Sequence, residues 1–199
     1  MFASDIQRLA LAAEAAEHAS SDFDLNADVR LNPDRKLRPA AVAILVQDHP
    51  NGSRVLLTKR PSSMKHHPGQ IAFPGGKADP TDPDIFRTAL REAEEEVGLI
   101  ASQATLVGVL RPHETVTQFQ IHPHIMKVDA TFHPNPHAEE VAEAFWVPLS
   151  HLMQTASYQI QSRRWRGARR YYYAVPYGPY YIWGATARIL FSLAQSTER

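Results

Sequence analysis

The stretch from Asp84 to Val97 constrains the fold more than any other part of the chain. At about 100° per residue, Phe86, Leu90, Ala93 and Val97 fall within about 60° of one another, a single apolar stripe on a helix. Gly98 follows as a left-handed C-cap. A helix with one such stripe needs a second layer to cover it. The flanking sequence supplies strands. Ala40 to Val46 and Arg54 to Thr58 are β-rich runs around His49-Pro-Asn-Gly-Ser53, where Asn51-Gly52 favours positive φ and a hairpin turn. Thr105 to Leu110, His122 to Val128, Ala144 to Val147, Tyr171 to Val175 and Tyr180-Tyr181 read as further strands. An N-terminal helix is signalled by a Ser4–Gln7 capping box followed by Ile6, Leu9, Ala13 and Ala16. A short helix is expected near Ser150 and a last one from about Trp183 to Gln195. Ser20 to Asp34 is polar and reads as a linker or arm, and Arg60 to Gly76 reads as a loop. With no βαβ repeat and no internal period, the expected fold is α/β, a mixed sheet sandwiched between helices (α/β/α). Residues 1–38 are expected to form a helix and arm, and 39–199 the main domain.

Composition removes several functions. The 199 residues include no cysteine, which excludes a disulfide scaffold, a cysteine-ligated metal and a cysteine nucleophile. Twenty-one basic and 21 acidic residues cancel, so no global field draws the chain to nucleic acid or anionic lipid. The longest apolar run, from Pro39 to Val46, is far below the ~18 residues of a membrane span. The first residues lack a basic region before an apolar one, so a cytoplasmic protein without a secretory signal is expected.

The chemistry is concentrated in Arg91-Glu-Ala-Glu-Glu-Glu-Val-Gly98. On a helical wheel Glu92, Glu95 and Glu96 share an arc of about 100°, which the spacing places opposite the apolar stripe. Like charges at i,i+3 and i,i+4 cost about 0.2–0.5 kcal/mol per pair, and acidic groups late in a helix oppose its dipole. Either water solvates this face, with Arg91 pairing Glu95, or a hard divalent cation compensates it. Mg²⁺ suits the second reading, since it takes few carboxylates and shares its other positions with water and phosphate. Phe73-Pro-Gly-Gly76 just before the helix points to a ligand, because glycine lets backbone turn tightly and approach closely.

Gly76 followed by Arg91-Glu92-Ala93-x-Glu95-Glu96-x-Gly98-Leu99 resembles the Nudix box, G-x5-E-x7-R-E-U-x-E-E-x-G-U. Gly76 to Arg91 is one residue longer than the general box, and Pro83 stands where its first glutamate would be, between Asp82 and Asp84. Upstream, Leu56-Leu-Thr-Lys-Arg60 through Met64-Lys-His-His-Pro-Gly-Gln70 to Phe73-Pro-Gly-Gly76 is similar to the added motif of the coenzyme A pyrophosphatase branch. Tyr181-Ile-Trp-Gly-Ala-Thr-Ala-Arg188 resembles the same branch. The resemblance implies a Nudix-type sheet and Mg²⁺- or Mn²⁺-dependent hydrolysis of the CoA or acyl-CoA pyrophosphate to 3′,5′-ADP and a 4′-phosphopantetheine product. Glu92, Glu95 and Glu96 would hold the metal with the Gly76 carbonyl, and Glu92 and Glu96, at i,i+4, would be the principal ligands. Arg91 belongs to the catalytic set. Glu140, among Glu139, Glu140 and Glu143, is the candidate general base. Arg60, Lys65, His67, Gly75 and Gly76, beside Lys59, would meet the substrate.

Other readings stay open. Another nucleoside diphosphate derivative would use the same box. Arg163-Arg-Trp-Arg-Gly-Ala-Arg-Arg170, followed by three tyrosines, has a composition suited to single-stranded nucleic acid, or is a charged hairpin turning at Gly167. Neutral net charge disfavours nucleic acid as partner, and a homodimer stays open. His122 and His124 lie on one strand face, and two histidines alone do not make a zinc site.

Overall fold

A computed structural model of the chain describes residues 4–16, 18–29, 31–32, 34–64, 67–165 and 167–198. In chain order these form α1 (Asp5–Ala15), β1 (Ser20–Ser21), β2 (Arg38–Gln47), β3 (Arg54–Lys59), β4 (Ile71–Ala72) and β5 (Gly75–Lys77). Then follow α2 (Ile85–Val97), β6 (Ala104–Val109), β7 (His113–Glu114), β8 (Phe119–Val128), β9 (Glu143–Pro148) and α3 (Leu149–Leu152). β10 (Gln159–Trp165), β11 (Ala168–Tyr177), β12 (Tyr180–Trp183) and α4 (Ala185–Thr197) complete the chain.

β2 organises the molecule. Its run of apolar residues is buried on both faces, as a central strand requires. Ile44 and Val46 enter one core, with Val55 and Leu57 of β3 and Ile125 of β8. Ala41, Ala43 and Leu45 enter a second core on the opposite face, with Leu56 and Met126. Helices α1, α3 and α4 cover the first, through Leu9, Ala12, Leu149, Leu152, Ile189, Leu190 and Leu193. Helix α2 covers the second with Ala89, Leu90, Ala93 and Val97. The sheet is mixed: β2 runs parallel to β8 but antiparallel to β3 and β5. This is the expected α/β/α arrangement. β10, β11 and β12 form a separate antiparallel sheet. Among the described residues, no helix is long and apolar enough to cross a membrane.

Two expectations require correction. The Arg60–Gly76 segment is only partly a loop: β4 pairs with β3, and β5 pairs Gly75, Gly76 and Lys77 with Val42, Ala41 and Ala40. Both strands are two or three residues long, and Gly75 and Gly76 bring no side chain to either face, so the apolar alternation that announces a strand is missing. The Ser20–Asp34 arm is a pinned strap, at least from Ser20 to Val29. Ser20 and Ser21 pair with His113 and Glu114, and Asp24 forms an ion pair with Arg188 at 2.7 Å. Buried Asn26 donates to the Tyr171 carbonyl (3.0 Å) and accepts from its N–H (2.9 Å), covering β11 beyond the end of β12. A polar side chain replaces a strand neighbour here, which hydrophobic periodicity cannot announce.

Asn26→Ala leaves the Tyr171 main chain without partners, at about 1–3 kcal/mol. Thermal unfolding should show a loss of roughly 2–4 °C in Tm for each kcal/mol. An unchanged Tm would mean that the strap does not support the second sheet.

Candidate active site

Three elements meet at the site: the N-terminal part of β5, the middle of α2 and the loop before β9. Helix α2 starts as its sequence requires, with Asp84 accepting the Arg87 N–H at 2.8 Å. It ends at Gly98, whose φ of +70° lets the N–H of Leu99 reach back to Ala93. Glu92, Glu95 and Glu96 do not share one solvated face opposite the stripe. Glu96 is only 4% exposed, because Thr88 and Ala89 are buried too and the covered arc is wider than the apolar stripe. Glu95 points outward to Arg91, 3.1 Å away. Glu92 is half-buried, also bonded to Arg91 at 2.8 Å.

The glycines explain how carboxylates fit there. A Cβ on Gly76 would overlap the Glu92 carboxyl group, 2.6 Å from its Oε1. Gly75 has φ of +155°, and a Cβ on it would meet the Cα of Val42 at 2.7 Å. Removing both side chains lets β5 lie between β2 and the acidic helix face.

Arg91 is the clamp of the box. It holds Asp82 with two bonds (Nε–Oδ1 2.9 Å, Nη2–Oδ2 3.0 Å) and donates to the Lys77 carbonyl at 3.2 Å. Of the two aspartates around Pro83, Asp82 therefore takes the partner role, while Asp84 caps the helix. Asp82 also accepts from the Thr88 hydroxyl at 2.8 Å, and the Arg91 guanidinium holds its carboxyl well below the usual carboxylate range.

Glu140 reaches the site by a route that the sequence did not disclose. The N–H groups of Asn135 and His137 donate to the carbonyls of Val97 and Glu96, at 2.9 and 3.0 Å. These are orphan carbonyls at the end of α2, so the loop itself completes the helix terminus. Glu140 is thereby brought close enough to raise the proton affinity of both Glu92 and Glu96. Glu139 is exposed, and Glu143 accepts a short hydrogen bond from the Tyr180 hydroxyl.

On the facing side, the Arg60 main-chain N–H donates to the Gln70 carbonyl at 3.0 Å. The Arg60 Nε is buried without a protein partner, as is the Glu96 Oε2. The Arg60 charge acts on Glu96, drawing its proton affinity down. His67 is exposed, in a left-handed conformation (φ +54°) uncommon outside glycine. Lys65 lies outside the described residues. His124 is buried against Phe86, its ring 5.5 Å from that of Phe86, and its Nδ1 contacts the His122 carbonyl; burial lowers the proton affinity of both histidines.

A buried acceptor oxygen and a buried guanidinium donor, both unsatisfied, call for a cation on one and an anion on the other. Among the described residues, no three histidine or acidic side chains converge on one point. Glu92 and Glu96 are the carboxylates that could hold such an ion, one that takes few protein ligands and keeps water and phosphate in its shell.

Burial, then repulsion from Glu92, pushes the Glu96 carboxyl up to about 8 against an ordinary 4.5. The folded protein then holds a proton that the unfolded chain releases near pH 4.5. Metal-free protein should thus lose stability as pH rises from about 4.5 to 8, by up to about 1.4 kcal/mol per pH unit from this group. Glu96→Gln should flatten that slope in denaturant titrations with chelator present. An unaltered slope would show that Glu96 is well solvated.

A family model, the NUDIX domain, matches residues 36–167. A relative from Pectobacterium atrosepticum named "Uncharacterized Nudix hydrolase NudL" is 37% identical over 172 residues, 86% of this chain and 89% of its own. A protein of the same name from an Enterobacter species is 41% identical over 158 residues, 79% of this chain and 81% of its own. Among solved structures, a C. elegans Ap4A hydrolase binary complex overlays with a TM-score of 0.47 and 20% identity, over 56% of this chain and 80% of that one. With the box residues gathered at one site and these matches spanning most of the sequence, the chain belongs to the Nudix hydrolase family.

Proposed function

We propose that the protein is a cytoplasmic, Mg²⁺- or Mn²⁺-dependent pyrophosphohydrolase of coenzyme A or its thioesters, yielding 3′,5′-ADP and 4′-phosphopantetheine or its acylated form. The observation that carries the choice of substrate is the meeting of two sequence motifs in one wall. The Thr186 hydroxyl donates to the Ile71 carbonyl at 3.1 Å, and the Gln70 amide nitrogen lies 4.0 Å from where a Cβ on Gly184 would stand. The Arg60–Gly76 motif and the Tyr181–Arg188 motif, far apart in sequence, thus meet next to Gln70, whose carbonyl holds Arg60, the residue whose charge reaches Glu96. Both resemble the CoA branch.

Glu92 and Glu96 would hold the ion, with Glu95 behind Arg91 as a supporting charge and the Gly76 carbonyl as a neutral donor. When bound, the ion neutralises phosphate oxygens and acidifies water at the site. Arg60 presents its unsatisfied Nε to a pyrophosphate oxygen, where a charge-assisted hydrogen bond would satisfy it. His67 and Lys65 are proposed as further substrate contacts from the motif they belong to, and the main chain at Gly75 and Gly76 admits the diphosphate without side-chain interference. Glu140 accepts the proton of the water that attacks phosphorus, and the bridging P–O bond breaks as charge builds on the leaving phosphate. Arg91 fixes Glu92 and the turn at Lys77.

With Mg²⁺, kcat/KM for CoA should exceed that for ADP-ribose at least ~10-fold, a difference of ~1.4 kcal/mol in transition-state binding. Arg60→Ala should lower kcat/KM for CoA by ~10–100-fold. Product masses identify the bond cut. Equal efficiencies on the two substrates would remove the CoA assignment and leave a Nudix hydrolase of another nucleoside diphosphate derivative.

A further inference from the structure

The outward face of the second sheet carries Tyr181 and Trp183, the start of the Tyr181–Arg188 motif, and none of its side chains has been given a role above. In its register Arg163 pairs with Arg170, Gln161 with Tyr172, Ala174 with Trp183 and Pro176 with Tyr181. Directly paired residues share a face, and the intervening Val175 and Ile182 are buried in the core. Arg163, Tyr172, Tyr181 and Trp183 therefore stand together on the other side. The Arg163 guanidinium lies 4.4 Å over the Trp183 ring. The Tyr172 ring is 5.1 Å from Trp183, and the Tyr172 and Tyr181 hydroxyls are 3.4 Å apart. Tyr181 is 44% exposed, although a tyrosine so placed gains little from folding.

This face continues from the catalytic side. Trp183 precedes Gly184, which abuts Gln70, whose carbonyl holds the Arg60 main chain. In a chain of zero net charge, Arg163, Arg164, Arg169 and Arg170 concentrate positive charge on one hairpin. Aromatic faces stack on any nucleobase, and a guanidinium braced on an indole presents its planar fork to phosphate. The adjacent cavity, between Ser21, Tyr172, Gly184 and Arg188, is about 20 Å³. It has room for one water, so a ligand would lie across the face as on a platform.

We infer that this face binds the nucleoside end of the substrate, with the base on Tyr181 and Tyr172 and a ribose phosphate on Arg163. The inference rests on the CoA reading, in which the nucleoside carries a 3′-phosphate remote from the bond that is cut. A diphosphate held between Glu96 and Arg60 leaves that end to be bound by whatever lies beyond Gln70, and this face is what lies there.

Two measurements test it on the full-length protein. The first is calorimetric binding of 3′,5′-ADP and of 5′-AMP without metal. The second is kcat/KM with Mg²⁺ for CoA and for 3′-dephospho-CoA. The wild type should favour the 3′-phosphorylated member of each pair by about tenfold or more. Arg163→Ala should reduce that preference to within about threefold while 3′-dephospho-CoA turnover stays near that of the wild type. Tyr181→Ala should weaken both nucleotides alike, since it removes only the stacking platform. Both side chains are exposed, so melting points should match the wild type. Retention of the 3′-phosphate preference in Arg163→Ala overturns the inference, as does failure of the wild type to bind 3′,5′-ADP. A single-stranded RNA that binds far more tightly than the mononucleotide, in an Arg163-dependent way, overturns it in favour of nucleic acid. If CoA is not cleaved yet 3′,5′-ADP binds with Arg163 dependence, the CoA reading fails and the nucleotide subsite stands.

Discussion

Two carboxylates of one helix, Glu92 and Glu96, are pressed against a turn of main chain that carries no side chains. Water reaches Glu96 poorly, and the neighbouring Glu92 and Glu140 charges repel it. In most helices such an arrangement would be relieved by rotating the acidic side chains outward, as Glu95 does. Here Ala89 and Ala93, buried on β2, fix the rotation of α2, and the Glu96 side chain has to stay where that packing puts it. Fold stability is thus spent on holding a buried carboxyl group that keeps a proton when no metal is bound and that a cation would satisfy in its place.

The rest of the structure supports that arrangement from three directions. β2 positions β5 by main-chain pairing and α2 by burial, so the glycine turn and the acidic helix share one reference strand. Arg91 binds the turn, Asp82 and two glutamates at once, which prevents the loop between β5 and α2 from opening. The Asn135–His137 segment closes the end of α2 and carries Glu140 in. Gly98 belongs to the same design, because a Cβ there would meet the Cβ of Asn135 at 3.2 Å. On the opposite side, the strap from Ser20 to Val29 fastens β11 and α4, and α4 in turn holds β4 through the Thr186 hydroxyl on the Ile71 carbonyl.

Much of this was legible from residue spacing. The helix, its caps and its apolar stripe follow from local sequence, and Ser4–Gln7 predicted α1 down to its capping box. The hairpin at Asn51-Gly52 and the paired strands around Gly167 were equally local. What escaped were contacts made by polar or featureless residues across long separations. Asn26 serves Tyr171 through side-chain amide bonds. Gly75 and Gly76 form a strand by main chain alone. Pro136 and its neighbours give no sign that their loop caps α2. The helical wheel also put Glu92, Glu95 and Glu96 on one arc opposite the apolar stripe, because angle alone does not reveal how wide an arc the sheet covers. Burial of Thr88 and Ala89 is what divides Glu96 from Glu95.

Electron density for the metal addresses the central claim most directly. Crystals grown with Mn²⁺ and measured for its anomalous scattering should show a peak bonded to carboxylate oxygens of both Glu92 and Glu96, including Glu96 Oε2, at the ~2.1 Å of hard-cation coordination. A peak confined to exposed carboxylates such as Asp79, or density that leaves the Glu96 oxygen unligated, would contradict it. The buried carboxylates would then be a structural charge pair and the metal site would lie elsewhere.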